Sequence, residues 1–232
     1  MTRIIKNSTF LAAFALSVCG GVVAASGQSA DPEKMSFFIT STGGGDGANY
    51  GGLEGADNHC AALATKAGSI KEWVAYLSAQ MVIDRSSGKP VVTNGISARD
   101  RIGSGPWHNA AGELIANNVD ELHSDKANID GKTALDENGK PVNGRGSKPN
   151  QHDILTGSDS AGYFSTAGGD TTCGNWTKNG SGSAIVGHHD RAGLNVSRNM
   201  ISWNSSHGTA GCGQEALTKT GGAGLLYCFA KK

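Results

Sequence analysis

Four cysteines set the tightest limit on what this chain folds into. The sequence holds five, and the first of them, Cys19, falls in a segment with the order of a secretory leader. Arg3 and Lys6 precede an apolar run from Phe10 to Val18, and small residues crowd Val22 to Ala30. That order of basic, apolar and small residues is the export pattern. The apolar part falls short of the ~20 residues that a spanning helix needs. Residues 1–30 are therefore expected to be a signal peptide, cleaved between residues 24 and 30. Val18 stands before Cys19, where a lipid-attachment site has a small residue, so lipidation is not expected. Cys60, Cys173, Cys212 and Cys228 remain, in a secreted or periplasmic protein. An even number of cysteines in an oxidising compartment reads as two disulfides, and spacing alone leaves three pairings open. No CxxC pair occurs, which removes a zinc ribbon.

The whole chain carries 20 basic and 20 acidic residues. Loss of the leader removes Arg3 and Lys6 and no acid, leaving 18 against 20. Nucleic-acid binders concentrate positive charge, so no such partner is expected. No later segment is apolar enough for membrane insertion. Residues 31–35 read as a short linker and residues 36–232 as one domain, long enough for a sizeable core. Abundant glycine (35) with scarce proline (5) and no repeat suits a globule with many tight turns.

Local patterns suggest short alternating elements. "MSFFITST" (Met35–Thr42) reads as a strand ended by "GGGDG". From Ala56, "ADNHCAALATKAG" puts Cys60, Leu63, Ala64 and Ala67 on one helical face, and Gly68 stops the helix. "EWVAYLS" reads as a strand buried on both sides. "GPWHNAAGELIA" reads as a hairpin turning at Ala110 to Gly112, and "NNVDELHSD" as a short helix capped by Asn117 or Asn118. Asn138-Gly139 marks another hairpin turn. Asn143 to Gln214 shows little periodicity and reads mostly as loops, and "GAGLLYCFA" closes the domain as a strand carrying Cys228. A loop region of that size in a compact domain is normally either functional or disordered, and ordered and functional is the expectation here.

Several of these segments together resemble a known family. "GGLEGADNHC", "EWVAYLS", "ARDRI", "PWHNAAGELIANNVDELHS", "ILTGSDSAG", "TCGNW" and "LLYCFA" match endostatin in order and spacing. Endostatin's fold is similar to the C-type lectin domain. With "NGRG", "HDILTGS", "TCGNWT", "VGHHDR" and "SWNSSH", the chain is still more similar to bacterial exported endostatin-like proteins called lectins. The likeness spans Met35 to Phe229. It implies an α+β, C-type-lectin-like domain with a mixed antiparallel sheet, two helices, long loops and two disulfides. It also implies nested disulfides, Cys60 with Cys228 and Cys173 with Cys212. Gly51, Gly52 and Gly55 would then be a joint that docks the helix against the terminal strand.

Fold does not fix function, so function rests on the late loops. Sugar hydroxyls are met by planar polar side chains, and sugar CH faces by aromatic rings. The late segments supply Arg145, Asn150, His152, Asp153, Trp176, His188, Asp190, Arg191, Trp203, Asn204 and His207 as candidate ligand-binding residues. The alternative role for Trp176 and Trp203 is packing beside Cys173 and Cys212. The expected partner is a glycan or cell-surface polysaccharide.

No metal is assigned. Calcium-dependent C-type lectins use Glu-Pro-Asn and Trp-Asn-Asp, whereas here "KPN" (Lys148 to Asn150) and "WNS" (Trp203 to Ser205) lack both acids. Calcium needs several carboxylate or carbonyl oxygens. For zinc, His188 and His189 point to opposite faces of a strand, so only one of them could join Asp190 or His207. The zinc histidines of endostatin lie near its N-terminus and have no counterpart here. His188, His189, Asp190, Glu215 and Asp153 supply acid–base groups for glycoside hydrolysis, but GxSxG, HExxH, a P-loop and an ordered dinucleotide motif are all missing. A non-catalytic lectin is the expected role. Protein or matrix binding without sugar is the alternative, and a glycoside-active enzyme stands behind both.

Overall fold

The computed structural model of the chain describes Met1 and residues 30–231. The leader and Cys19 lie outside the described residues. In chain order the elements are β1 (Phe37–Ile39), α1 (Gly52–Lys66), β2 (Trp73–Ala75), β3 (Val82–Asp84), β4 (Val91–Thr93), β5 (Trp107–His108), β6 (Leu114–Ala116), α2 (Val119–Leu122), β7 (Asp153–Leu155), α3 (Cys173–Trp176), β8 (Ile185–His188), β9 (His207–Gly208), α4 (Gln214–Thr220) and β10 (Gly222–Ala230). The domain is mixed α+β. Its described residues form four helices where two were expected: α1 and α2 are the expected ones, α3 is a single turn inside the stretch read as loop, and α4 begins at that stretch's last residue, Gln214.

β10 is the hub of the main sheet. It pairs antiparallel with β1 (Phe38 opposite Cys228) and β2 (Cys228 opposite Ala75), and parallel with β7 (Leu226 opposite Leu155). β7 continues antiparallel to β8, and β8 to β9. The stretch from Asn143 to Gln214 therefore supplies three strands of this sheet rather than mostly loop. Separate hairpins are formed by β3 with β4 and by β5 with β6.

Both faces of β1, β2 and β10 are buried, which is why their apolar runs do not alternate with polar residues. Phe38, Trp73, Ala75, Leu226 and Cys228 pack on the side covered by α1. Phe37, Val74, Tyr76, Leu225, Tyr227 and Phe229 pack on the other, against Trp107 and Trp203. Full burial of each such large side chain contributes about 1.5–3 kcal/mol.

α1 meets the sheet through Ala56, Cys60 and Ala64, spaced four apart. These small side chains let the helix lie close, and Leu63 and Ala67 of the expected face are only half-buried. Gly51 enters the helix at φ +74, and a Cβ on Gly55 would stand 1.7 Å from the Tyr50 carbonyl oxygen. The glycine run is thus a joint. Gly68, at φ +93, ends the helix as expected.

Both disulfides join the cysteines expected from the resemblance, Cys60 with Cys228 and Cys173 with Cys212, each with Cα atoms 5.6 Å apart. Residues 31–35, expected as a linker, are part of the domain. Asp31 N donates to the Ala110 carbonyl, Lys71 Nζ donates to the carbonyls of Glu33 and Met35, and Met35 is buried. Among the described residues no helix is long and apolar enough to cross a membrane.

Candidate functional site

Strand pairing gathers the chemistry. Asp153 of β7 lies opposite His188 of β8, and His207 of β9 lies opposite Val186, two residues from His188 on the same face. Cross-strand and diagonal neighbours of this kind bring side chains together. His152 stands just before β7, where strand alternation does not yet hold, and its ring stacks on His188 with centroids 4.2 Å apart.

Three imidazoles consequently converge on one carboxylate oxygen. Asp153 Oδ1 lies 3.2 Å from His152 Nε2, 3.2 Å from His188 Nε2 and 3.6 Å from His207 Nε2. His188 Nε2 and His207 Nε2 are 3.1 Å apart. The Asp153 side chain is 1% exposed. Neither of its oxygens has a well-directed hydrogen bond among the described residues, although the nitrogens are near.

The far nitrogen of each ring is held elsewhere. His152 Nδ1 faces Asp190 Oδ1 at 3.2 Å, His188 Nδ1 faces the Met200 carbonyl at 2.8 Å, and His207 Nδ1 faces the Gly208 carbonyl at 3.1 Å. Burial alone would push the Asp153 carboxyl up, but the neighbouring imidazoles hold it below the ordinary range. Its carboxylate in turn raises His207. Asp190 is held well below the carboxylate range: burial opposes this, but His152 and the N–H groups of Arg145 and Ala192 outweigh it.

A cavity of about 390 Å³ opens onto this cluster, and Arg145 and Asn150 stand on its wall. Seven of the eleven expected residues thus share one place: Arg145, Asn150, His152, Asp153, His188, Asp190 and His207. No metal ligand was expected, yet His152, Asp153 and His188 bring three donor atoms within 4.8 Å of one another, with His207 beside them. His189 turns away to the Asn143 carbonyl, as strand alternation requires.

Of the remaining four, Trp176 lies in the core, while Arg191, Trp203 and Asn204 hold structural contacts and also line a second cleft. Trp176 is 0% exposed and donates Nε1–H to the Ser78 carbonyl. Trp203 is 3% exposed and donates to the Leu122 carbonyl. Both are packed in the core, and Trp203 also lies on the lining of the second cleft. The Asn204 amide donates to the Tyr76 hydroxyl and the Asp159 carbonyl. Arg191 straps the chain to the carbonyls of Ile129 and Ala127.

A second cleft, about 420 Å³, lies on the other side of the 190–202 loop. Asp125, Asp159, Arg198 and Asn199 are exposed on its lining. These were missed. The only sequence signal was the polar, aperiodic character of their segments, which many surface loops share. No protein-family model matches this chain, and no curated protein matches it.

Proposed function

We propose that the chain is an exported, non-catalytic carbohydrate-binding domain with a C-type-lectin-like, endostatin-like architecture. The observation that carries this reading is the 420 Å³ cleft beside Trp203. Carboxylate, guanidinium, amide and hydroxyl groups converge there on a rigid floor, and such groups match sugar hydroxyls in pairs. Asp125 and Arg198 make no hydrogen bond to other side chains or backbone among the described residues, so both remain available to a ligand. The two disulfides fit the oxidising compartment implied by the leader. The buried tryptophans leave hydrogen bonding, rather than ring stacking, as the source of affinity.

A glycan array probed with the disulfide-bonded protein tests this. Binding to a defined glycan set is expected, with loss of about tenfold or more in Arg198→Ala and Asn199→Ala, since a hydrogen bond to a charged group is worth about 1.5–3 kcal/mol. An array with no retained glycan overturns the reading. So does hydrolysis of a bound glycan, which would make the protein an enzyme.

Protein binding without sugar is favoured by one observation, the hairpin of β3 and β4. Its Val82, Ile83, Val91 and Val92 side chains are all exposed. Capture of a protein ligand that Val82→Thr and Val92→Thr abolish, with the array blank, would select that reading.

A further inference from the structure

We infer that His152, Asp153, His188 and His207 form a binding site for one zinc ion, held through the Nε2 atoms of the three imidazoles and a carboxylate oxygen of Asp153. The inference stands apart from the glycan reading, which concerns the other cleft.

Distance is the first ground. Zinc binds imidazole nitrogen at about 2.0–2.1 Å and carboxylate oxygen at about 2.0–2.2 Å, so the edges of a tetrahedral site measure about 3.3–3.4 Å. Four of the six edges are 3.1, 3.2, 3.2 and 3.6 Å. The donors of His152, Asp153 and His188 already lie within 4.8 Å of one another, and the partly exposed His207 ring, in contact with Asp153 and His188, turns in to complete a tetrahedral set.

Proton placement is the second. The Nδ1 atoms of His188 and His207 face carbonyl oxygens, which accept only, so these nitrogens carry protons. The Nε2 atoms are then the ring nitrogens left facing one another and the Asp153 carboxylate, on the side where a shared cation would sit. His152 Nδ1 likewise faces Asp190, which gives the carboxylate–histidine–metal arrangement that orients zinc ligands.

Burial is the third. The carboxylate of Asp153 is 1% exposed with no well-directed hydrogen bond among the described residues. Buried charges are paired or coordinate metals. Nitrogen and oxygen donors without thiolate suit zinc, whereas calcium takes oxygen. Because the ligands come from β7, β8, β9 and the residue before β7, the ion would tie three adjacent strands at the floor of the cavity.

The test uses the full disulfide-bonded protein, stripped with a chelator and titrated with zinc chloride in the absence of glycan. One zinc per chain is expected, with X-ray absorption showing nitrogen and oxygen neighbours, imidazole scattering and no sulfur. Loss of an outer partner typically weakens metal binding about 10–100-fold, so Asp190→Asn is expected in that range and His207→Ala beyond it. His207 is 28% exposed, so its removal is tolerable to the fold, with circular dichroism and disulfide mapping as the check. His59→Ala, on α1, should leave affinity unchanged. Failure of the wild-type protein to take up stoichiometric zinc overturns the inference. Undiminished affinity in a folded His207→Ala protein, or an equal loss in His59→Ala, overturns it as well. A blank glycan array leaves each of these readouts intact.

Discussion

Trp203 sits among Tyr76 and Tyr227, with ring centroids 4.9 and 5.2 Å away, and its N–H ends on a carbonyl. Trp203→Ala should cost about 3–5 kcal/mol of stability, as aromatic truncations in cores do, read as a lowered urea midpoint. Nothing in the residue type distinguishes this tryptophan from a sugar platform. Burial does, and burial is a property of the fold. His123, beside it, is pushed below the usual imidazole range chiefly by burial, with Arg99 acting the same way and the Val119 carbonyl, Asp120 and Asp159 opposing. The unfolded imidazole titrates near about 6.5, so below that pH the unfolded chain binds a proton that the folded chain resists. Stability should therefore fall as pH drops through about 6.5 and below. Denaturant midpoints measured across that range should show the fall, and a shallower slope in His123→Gln.

The elements differ in how openly the sequence announces them. β1, β2 and β10 are runs of Phe, Leu, Tyr and Val buried on both faces, and α1 repeats small apolar residues every fourth position. Those were legible. β7 and β8 carry Asp153 and His188 inward, and β9 is two residues long, so no apolar period marks them. The candidate residues were legible as chemistry but not as neighbours, because the strand register that joins Asp153, His188 and His207 was hidden with those strands. At the joint before α1, Gly55→Ala places a methyl against the Tyr50 carbonyl and should destabilise by more than about 1 kcal/mol, since neither backbone segment can move freely. Thermal denaturation would register it. At α2, the Asn118 side chain accepts from Glu121 N, so Asn118→Ala should remove about 1 kcal/mol.

Across the whole molecule, the bond from Cys60 to Cys228 closes a loop with a sequence separation of 168. In the chain-entropy account a loop of that length restricts the unfolded state by about 4–5 kcal/mol. Cys60→Ser with Cys228→Ser should therefore lower the denaturation midpoint more than Cys173→Ser with Cys212→Ser, whose separation is 39. The nested arrangement also has a consequence for biogenesis. β10 follows in sequence every strand that it joins, so under the proposed export a chain threading through a pore from its N-terminus delivers β1, β2 and β7 before their shared neighbour. Cys60 then meets Cys173 and Cys212 while Cys228 is still in transit. Oxidation in order of arrival makes the wrong bond, and only exchange through a mixed disulfide corrects it. Yield of the native protein should accordingly be limited by a disulfide isomerase rather than by the oxidant, with a Cys60–Cys173 species accumulating in hosts that lack one.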